Sequence, residues 1–278
     1  MKLHTVPARQ GAAWVRQGFR AFAKRPIAFG GMLLAVMFVV LLVKLVQPLV
    51  IVVLPFVPLV SLGFMLATRL VLDGGMPTPA LFVMPLRTDR ARLIALLRLG
   101  LIYAGVTLVI MTVADLVDGG GPELLVDAPM PPASAASGAD AAALAAAPQA
   151  LLGLIVRLGL AGLLAVPFWH APALVHWHGY GAGKALFAST VACWRNRGAF
   201  LVYSGVWLGW VIGLGMISGL LLALLGRPQL LVSATLPLSA VIATVYYASL
   251  YFTFADCFKS GDDELAVVIA HTSSENAP

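Results

Sequence analysis

Six apolar runs, at residues 27–46, 49–72, 93–117, 151–174, 199–225 and 230–254, constrain this chain more than any other feature. Each has about the twenty residues that a helix needs to cross a hydrocarbon core. A water-soluble fold would expose much of that surface, because 60% of the side chains are hydrophobic and only 11% are charged, against roughly a quarter charged in soluble domains. In lipid the same surface carries no penalty, and helices satisfy their own backbone groups there. The expected fold is therefore all-α, a polytopic transmembrane helical bundle that makes one membrane domain of residues 1–278.

The first two runs almost touch, and a single helix through both would be roughly twice too long for a bilayer. Gln47-Pro48, or one of Pro55 and Pro58, must turn the chain there. Gly226-Arg227-Pro228-Gln229 supplies turn chemistry between the fifth and sixth runs. Six spans in three hairpins follow. Proline falls in the second (Pro55, Pro58), fourth (Pro167, Pro172) and sixth runs (Pro237) and in none of the others. The entries Lys24-Arg25-Pro26-Ile27-Ala28-Phe29 and Arg195-Asn196-Arg197-Gly198-Ala199-Phe200 also align, which points to a parallel hairpin repeat whose units start inside.

Orientation follows from the bias of Lys and Arg in short loops. Lys2, Arg9, Arg16, Arg20, Lys24 and Arg25 precede the first span; Arg87, Arg90 and Arg92 lie between the second and third, and Lys184, Arg195 and Arg197 between the fourth and fifth. Residues 118–150 hold no Lys or Arg but contain Asp118, Glu123, Asp127 and Asp140. The expectation is a multi-pass protein of a bacterial inner membrane with both termini cytoplasmic. Residues 118–150, rich in Gly, Pro and Ala, form a flexible periplasmic loop, and residues 257–278 a cytoplasmic tail. The basic start resembles a secretory signal, but the apolar stretch behind it is too long for one and reads as an uncleaved span. The net charge of +6 sits beside the apolar runs rather than on a hydrophilic domain. Membrane lipids with anionic headgroups are thus the expected partners, nucleic acid is not, and no protein partner is legible. Cys193 and Cys257 fall on the cytoplasmic side and read as packing residues without a disulfide.

Residues 1–26 carry the clearest constellation. Arg9, Arg16, Arg20 and Lys24 recur at seven, four and four residues, opposite Trp14, Val15, Gly18, Phe19 and Phe22. This is the pattern of an amphipathic helix lying in the cytoplasmic interface with its cations on lipid headgroups. Residues 79–92 and 182–194 read as further, weaker interfacial segments. Lys44, Arg69 and Arg98 lie near run ends, where their stems can snorkel, and Arg69 has Asp73 one turn on. Arg157 lies deeper, at a depth similar to that of Asp115 on the preceding span, and the two are expected to form an intramembrane polar pair.

The histidines His170, His176 and His178 lack converging ligands, so no metal is expected; beside Trp169 and Trp177 they read as an interfacial belt. Gly205, Gly209 and Gly213, with Gly215 and Gly219, permit close helix packing, read as packing within the bundle with dimerisation as the alternative. Thr235, Ser239, Tyr246, Ser249 and Thr253 share roughly one face of the last span; they line a cavity or bond to neighbouring helices. No nucleophile elbow, zinc-protease helix, phosphate loop or dinucleotide fingerprint is present, so neither an enzyme nor a cofactor is expected.

The opening Val6-Pro7-Ala8-Arg9-Gln10-Gly11 with Trp14 and Lys24-Arg25-Pro26, and the later Ala171-Pro172-Ala173-Leu174-Val175 with Cys193-Trp194-Arg195-Asn196, resemble a family of six-helix bacterial inner-membrane proteins of betaproteobacterial type. The interfacial helix and hairpin plan is more distantly similar to the membrane domains found beside glycerophosphodiester phosphodiesterases. These resemblances imply location and topology and carry over no functional residue. The functional expectation is a non-enzymatic, lipid-associated structural or accessory protein, with a small-solute transporter or channel as the alternative.

Overall fold

The computed structural model describes residues 2–46, 48–87, 89–118, 141–226 and 231–259. Six helices long and apolar enough to span a membrane dominate it: Pro26–Leu45, Leu49–Leu72, Arg90–Val117, Ile155–His178, Arg197–Leu224 and Pro237–Cys257. As elements they are α2 (Pro26–Leu45), α3 (Leu49–Val53) continued by α4 (Val57–Leu72), α5 (Arg90–Asp118), α6 (Ala141–Phe168) continued by α7 (Ala171–His178), α9 (Arg197–Leu224) and α10 (Leu231–Cys257). Two further helices, α1 (Gln10–Lys24) and α8 (Ala182–Arg195), precede the first and fifth spans.

Proline chemistry explains the two interrupted spans. Pro55 and Pro58 withhold amides from the helical ladder, and Leu54–Phe56 tightens into a 3-10 turn between α3 and α4. Pro172 opens α7 at a position where its missing amide costs nothing, leaving Trp169-His170 as the break behind α6. Pro237 instead stays inside α10.

Consecutive spans lie side by side. Phe29, Met32 and Leu33 of α2 meet Phe64, Ala67 and Val71 of α4, together with Ala248 of α10. Between α5 and the 3-10 turn the approach is close, since a Cβ on Gly100 would stand 2.1 Å from the Pro55 carbonyl oxygen. The local entries that align in sequence also align in structure: one residue, Arg25 or Asn196, joins an amphipathic helix to the span behind it.

The ends of the described chain meet. β1 (Lys2–Leu3) pairs antiparallel with β2 (Phe258–Lys259), and His4 N–H donates to the Cys257 carbonyl at 3.0 Å. Buried Asn196 joins this knot by accepting from Val6 N–H at 2.7 Å and donating to the His4 carbonyl at 3.0 Å. Lys2–His4 and Cys257–Lys259 are therefore on one side of the bundle.

Three sequence expectations change here. Residues 141–150 are helix, not loop, and extend α6; Asp118 is the last residue of α5, and residues 119–140 lie outside those described. Of the expected tail, Cys257 closes α10, Phe258 and Lys259 are in β2, and residues 260–278 lie outside the described set. The expected turns at Gln47 and at residues 227–229 lie outside it as well, although Gly226 enters its turn with φ +63.

The third change concerns α1, whose apolar face is covered by protein rather than lipid. Trp14 is fully buried, and Val15, Gly18 and Ala21 face the same way. A Cβ on Gly11 would stand 2.1 Å from the Ala199 carbonyl oxygen, and one on Gly18 would stand 2.6 Å from Ser249 Cβ. Phe19 rests on Trp207 and Trp210. From Gln10 beside Asp256 to Gly18 beside Val245, α1 therefore follows the α9–α10 hairpin lengthwise.

Candidate functional site

The intramembrane pair forms from two helices that run antiparallel. Asp115, four residues past Met111 on α5, accepts a hydrogen bond from Arg157 Nη2 on α6 at 2.8 Å. Both side chains are largely enclosed, at 12% and 24% exposure. A cavity of about 360 Å³ begins one helical turn further in, where Met111 and Ala161 are part of the wall. Ser61, Tyr103, Thr107, Trp169, Tyr246 and Tyr247 supply its polar atoms among a mainly aliphatic lining. The enclosed pair cancels its own charge, so the cavity presents hydroxyls and ring edges rather than a net charge.

The polar face of α10 divides in two. Thr235, Ser239 and Tyr246 line a groove of about 670 Å³ that opens between α9 and α10. Ser249 and Thr253 are bonded within the protein. Ser249 Oγ shares a 2.6 Å hydrogen bond with Tyr203 Oη and donates to the Tyr246 carbonyl; Thr253 Oγ1 donates to the Leu250 carbonyl and accepts from Trp169 Nε1. Of the two roles open to this face, Ser249 and Thr253 take interhelical bonding, to Tyr203 and Trp169, and Thr235, Ser239 and Tyr246 face the groove. A hydroxyl beside the α1–α9 packing surface finds protein partners before it can meet solvent.

Arg9, Arg16, Arg20 and Lys24 all lie on the exposed face of α1. A residue the sequence reading passed over holds that helix in place: Asp256 accepts from Gln10 Nε2 at 2.6 Å and from Trp14 Nε1 at 2.7 Å. No local signal marks it, because its partners are 246 and 242 residues away.

The histidine belt needs correcting too. His170 is fully buried in the α6–α7 break among Phe200, Phe254 and Phe258, and its ring nitrogens make no hydrogen bond among the described residues. His176 is also buried, and only His178 and the two tryptophans remain half-exposed. Among the described residues no group of His, Cys, Asp and Glu could hold a metal ion. Arg69 does not reach Asp73 in an ion pair; its guanidinium carbon lies 5.8 Å from the Trp177 ring centroid. The α9 glycines correct a further expectation, because nothing lies within 4 Å of a Cβ built on Gly205, Gly209, Gly213, Gly215 or Gly219. Among the described residues no other helix packs against them.

The chain is 32% identical over 266 residues to a probable inner membrane protein of Burkholderia thailandensis, an alignment covering 93% of this chain and 94% of that relative. The chain belongs to that inner membrane protein family. No protein-family profile and no solved structure matches it. With its six spans, this member of the family is a multi-pass inner membrane protein.

Both cysteines of this family member are buried and unbridged. Burial pushes the Cys193 thiol up to about 12, against a weaker opposing hydrogen bond from Ser189. Because the folded value lies above the unfolded one, the protonated thiol favours folding at neutral pH; that contribution fades as pH rises past the unfolded value. Near pH 8 the folded protein in detergent is expected to react with a maleimide at least about a hundredfold more slowly than the same chain unfolded in SDS. Rapid labelling of Cys193 in the folded protein would contradict this burial.

Proposed function

We propose that this protein is a non-enzymatic, lipid-associated structural or accessory component of the inner membrane, with both termini in the cytoplasm. One observation carries the reading: α1 is locked to the bundle by Trp14 and Asp256, yet leaves Arg9, Arg16, Arg20 and Lys24 exposed in a row. A helix whose apolar face is already covered by protein can engage a membrane only through its charges. Lys24 and Arg25 continue the exposed cations up to Pro26, where α2 begins. The self-neutralised Arg157–Asp115 pair and the bonded Ser249 and Thr253 support a packed bundle rather than a solvated path. The likeness to membrane domains beside glycerophosphodiester phosphodiesterases belongs to this proposal as a shared plan only. A small-solute transporter is the second reading, supported by the 360 Å³ cavity next to the intramembrane pair.

Thermal unfolding of the full-length protein in vesicles tests the first reading. Phosphatidylglycerol is expected to raise the Tm of the wild type over that in pure phosphatidylcholine. With Arg9, Arg16, Arg20 and Lys24 all changed to Gln, most of that gain should disappear, at about 1 kcal/mol for each cation near the surface. An equal gain in both proteins would remove α1 as the lipid-contacting element.

A further inference from the structure

A notch of about 530 Å³ lies between α5 and the start of α8. Its walls are of two kinds. Arg98 and Lys184 line one part, and Leu101 and Ile102 of α5 line the other, 63% and 42% exposed. Gly181 and Gly183 complete it, and a Cβ on either would meet nothing within 4 Å. Neither cation makes an ion pair among the described residues, although Lys184 Nζ lies 4.1 Å from the Tyr180 ring centroid. No carboxylate is among the lining residues.

The depth of the notch follows from the elements that build it. The helix that begins at Arg90 has 28 residues, about 42 Å against a hydrocarbon core of about 30 Å, so Arg98, eight residues in, lies just inside the core boundary and its long stem carries the guanidinium back to the headgroups. Along the outer face of α8, Phe187 and Trp194 are 71% and 70% exposed, two helical turns apart, on the side that also carries Lys184. A short helix showing aromatic side chains outward beside a transmembrane bundle rests in the headgroup layer. The notch therefore has its cations at headgroup level and its apolar wall running along a span toward the hydrocarbon.

We propose that this notch binds one anionic phospholipid, its phosphate between Arg98 and Lys184 and an acyl chain along Leu101 and Ile102. The charge complementarity fits a phosphodiester, and the exposed aliphatic wall continuous with the cations fits the tail of the same molecule. The proposal rests on the lipid-associated reading above but uses none of the α1 cations, so the two can fail separately.

Native mass spectrometry of the full-length protein in mild detergent, titrated with phosphatidylglycerol, gives the test. The wild type is expected to take up one molecule in preference to phosphatidylcholine, and excess inorganic phosphate should not displace it. Arg98→Gln and Lys184→Gln should each weaken binding roughly fivefold, and the double variant roughly 25-fold. Gly183→Phe keeps both charges but fills the open space, and should abolish uptake without lowering the Tm in lipid-free detergent. The Arg9, Arg16, Arg20 and Lys24 to Gln variant should retain the bound lipid. Wild-type affinity in the double variant would overturn the site, as would equal uptake of phosphatidylcholine. Displacement by inorganic phosphate would make it a site for soluble anions instead. If the α1 variant keeps its lipid but the vesicle experiment shows no role for α1, the broader reading falls and the notch stands.

Discussion

Asp115→Ala is expected to lower folding stability by about 3 kcal/mol, while Asp115→Leu combined with Arg157→Leu costs less than that single change. The alanine leaves a guanidinium in an apolar bundle with its 2.8 Å acceptor gone. A carboxyl group can discharge by taking a proton, but a guanidinium cannot, so Arg157→Ala should be the milder single variant. The double leucine removes both charges and fills similar volume, and buried pairs replaced in this way are often neutral or better. Unfolding in detergent, followed by helical circular dichroism across a graded SDS series, measures all four proteins. A double variant as unstable as Asp115→Ala would mean that the loss arises from packing and not from the stranded charge.

Trp14→Ala comes next in size, with a loss of about 3 to 4 kcal/mol. The side chain is fully buried, its ring meets Phe200 and Tyr203, and its Nε1–H bonds Asp256. Trp14→Phe keeps most of the packing and should cost only about 1 kcal/mol for the lost hydrogen bond. Because α1 is held by this contact, the alanine variant should also expose Arg16 and Arg20 to trypsin long before the spans are cut. An α1 embedded in lipid would behave differently: Trp14→Ala would leave stability in detergent unchanged, and that outcome would refute the docked arrangement.

The spans were legible because bilayer thickness converts directly into a run length, with no need to know the neighbours. Arg157 and Asp115 were legible for a related reason, since two charges at matching depth on consecutive helices have few other partners. The apolar stripe of α1 was visible too, but periodicity says only that a face is apolar. It does not say whether lipid or protein covers it, and the covering surface comes from α9 and α10, far along the chain. For the same reason a polar stripe on α10 does not specify which of its hydroxyls face a groove and which bond to a helix, as Ser249 does with Tyr203, 46 residues away. Residues 141–150 share the lack of Lys and Arg with the Gly/Pro stretch before them, but their alanines favour helix and extend α6. The glycine spacing in α9 marked a surface that backbone could approach; nothing local specified that this chain leaves it open.

Asp256, which clamps Gln10, is 246 residues downstream of it. At about 5 to 20 residues per second of synthesis, roughly 10 to 50 seconds separate the emergence of α1 from that of its receptor. Throughout that interval Trp14 and its neighbours have no groove to enter, and the bilayer surface is the nearest apolar phase. The amphipathic pattern thus suits a nascent helix that can rest on the membrane surface until α9 and α10 have been made.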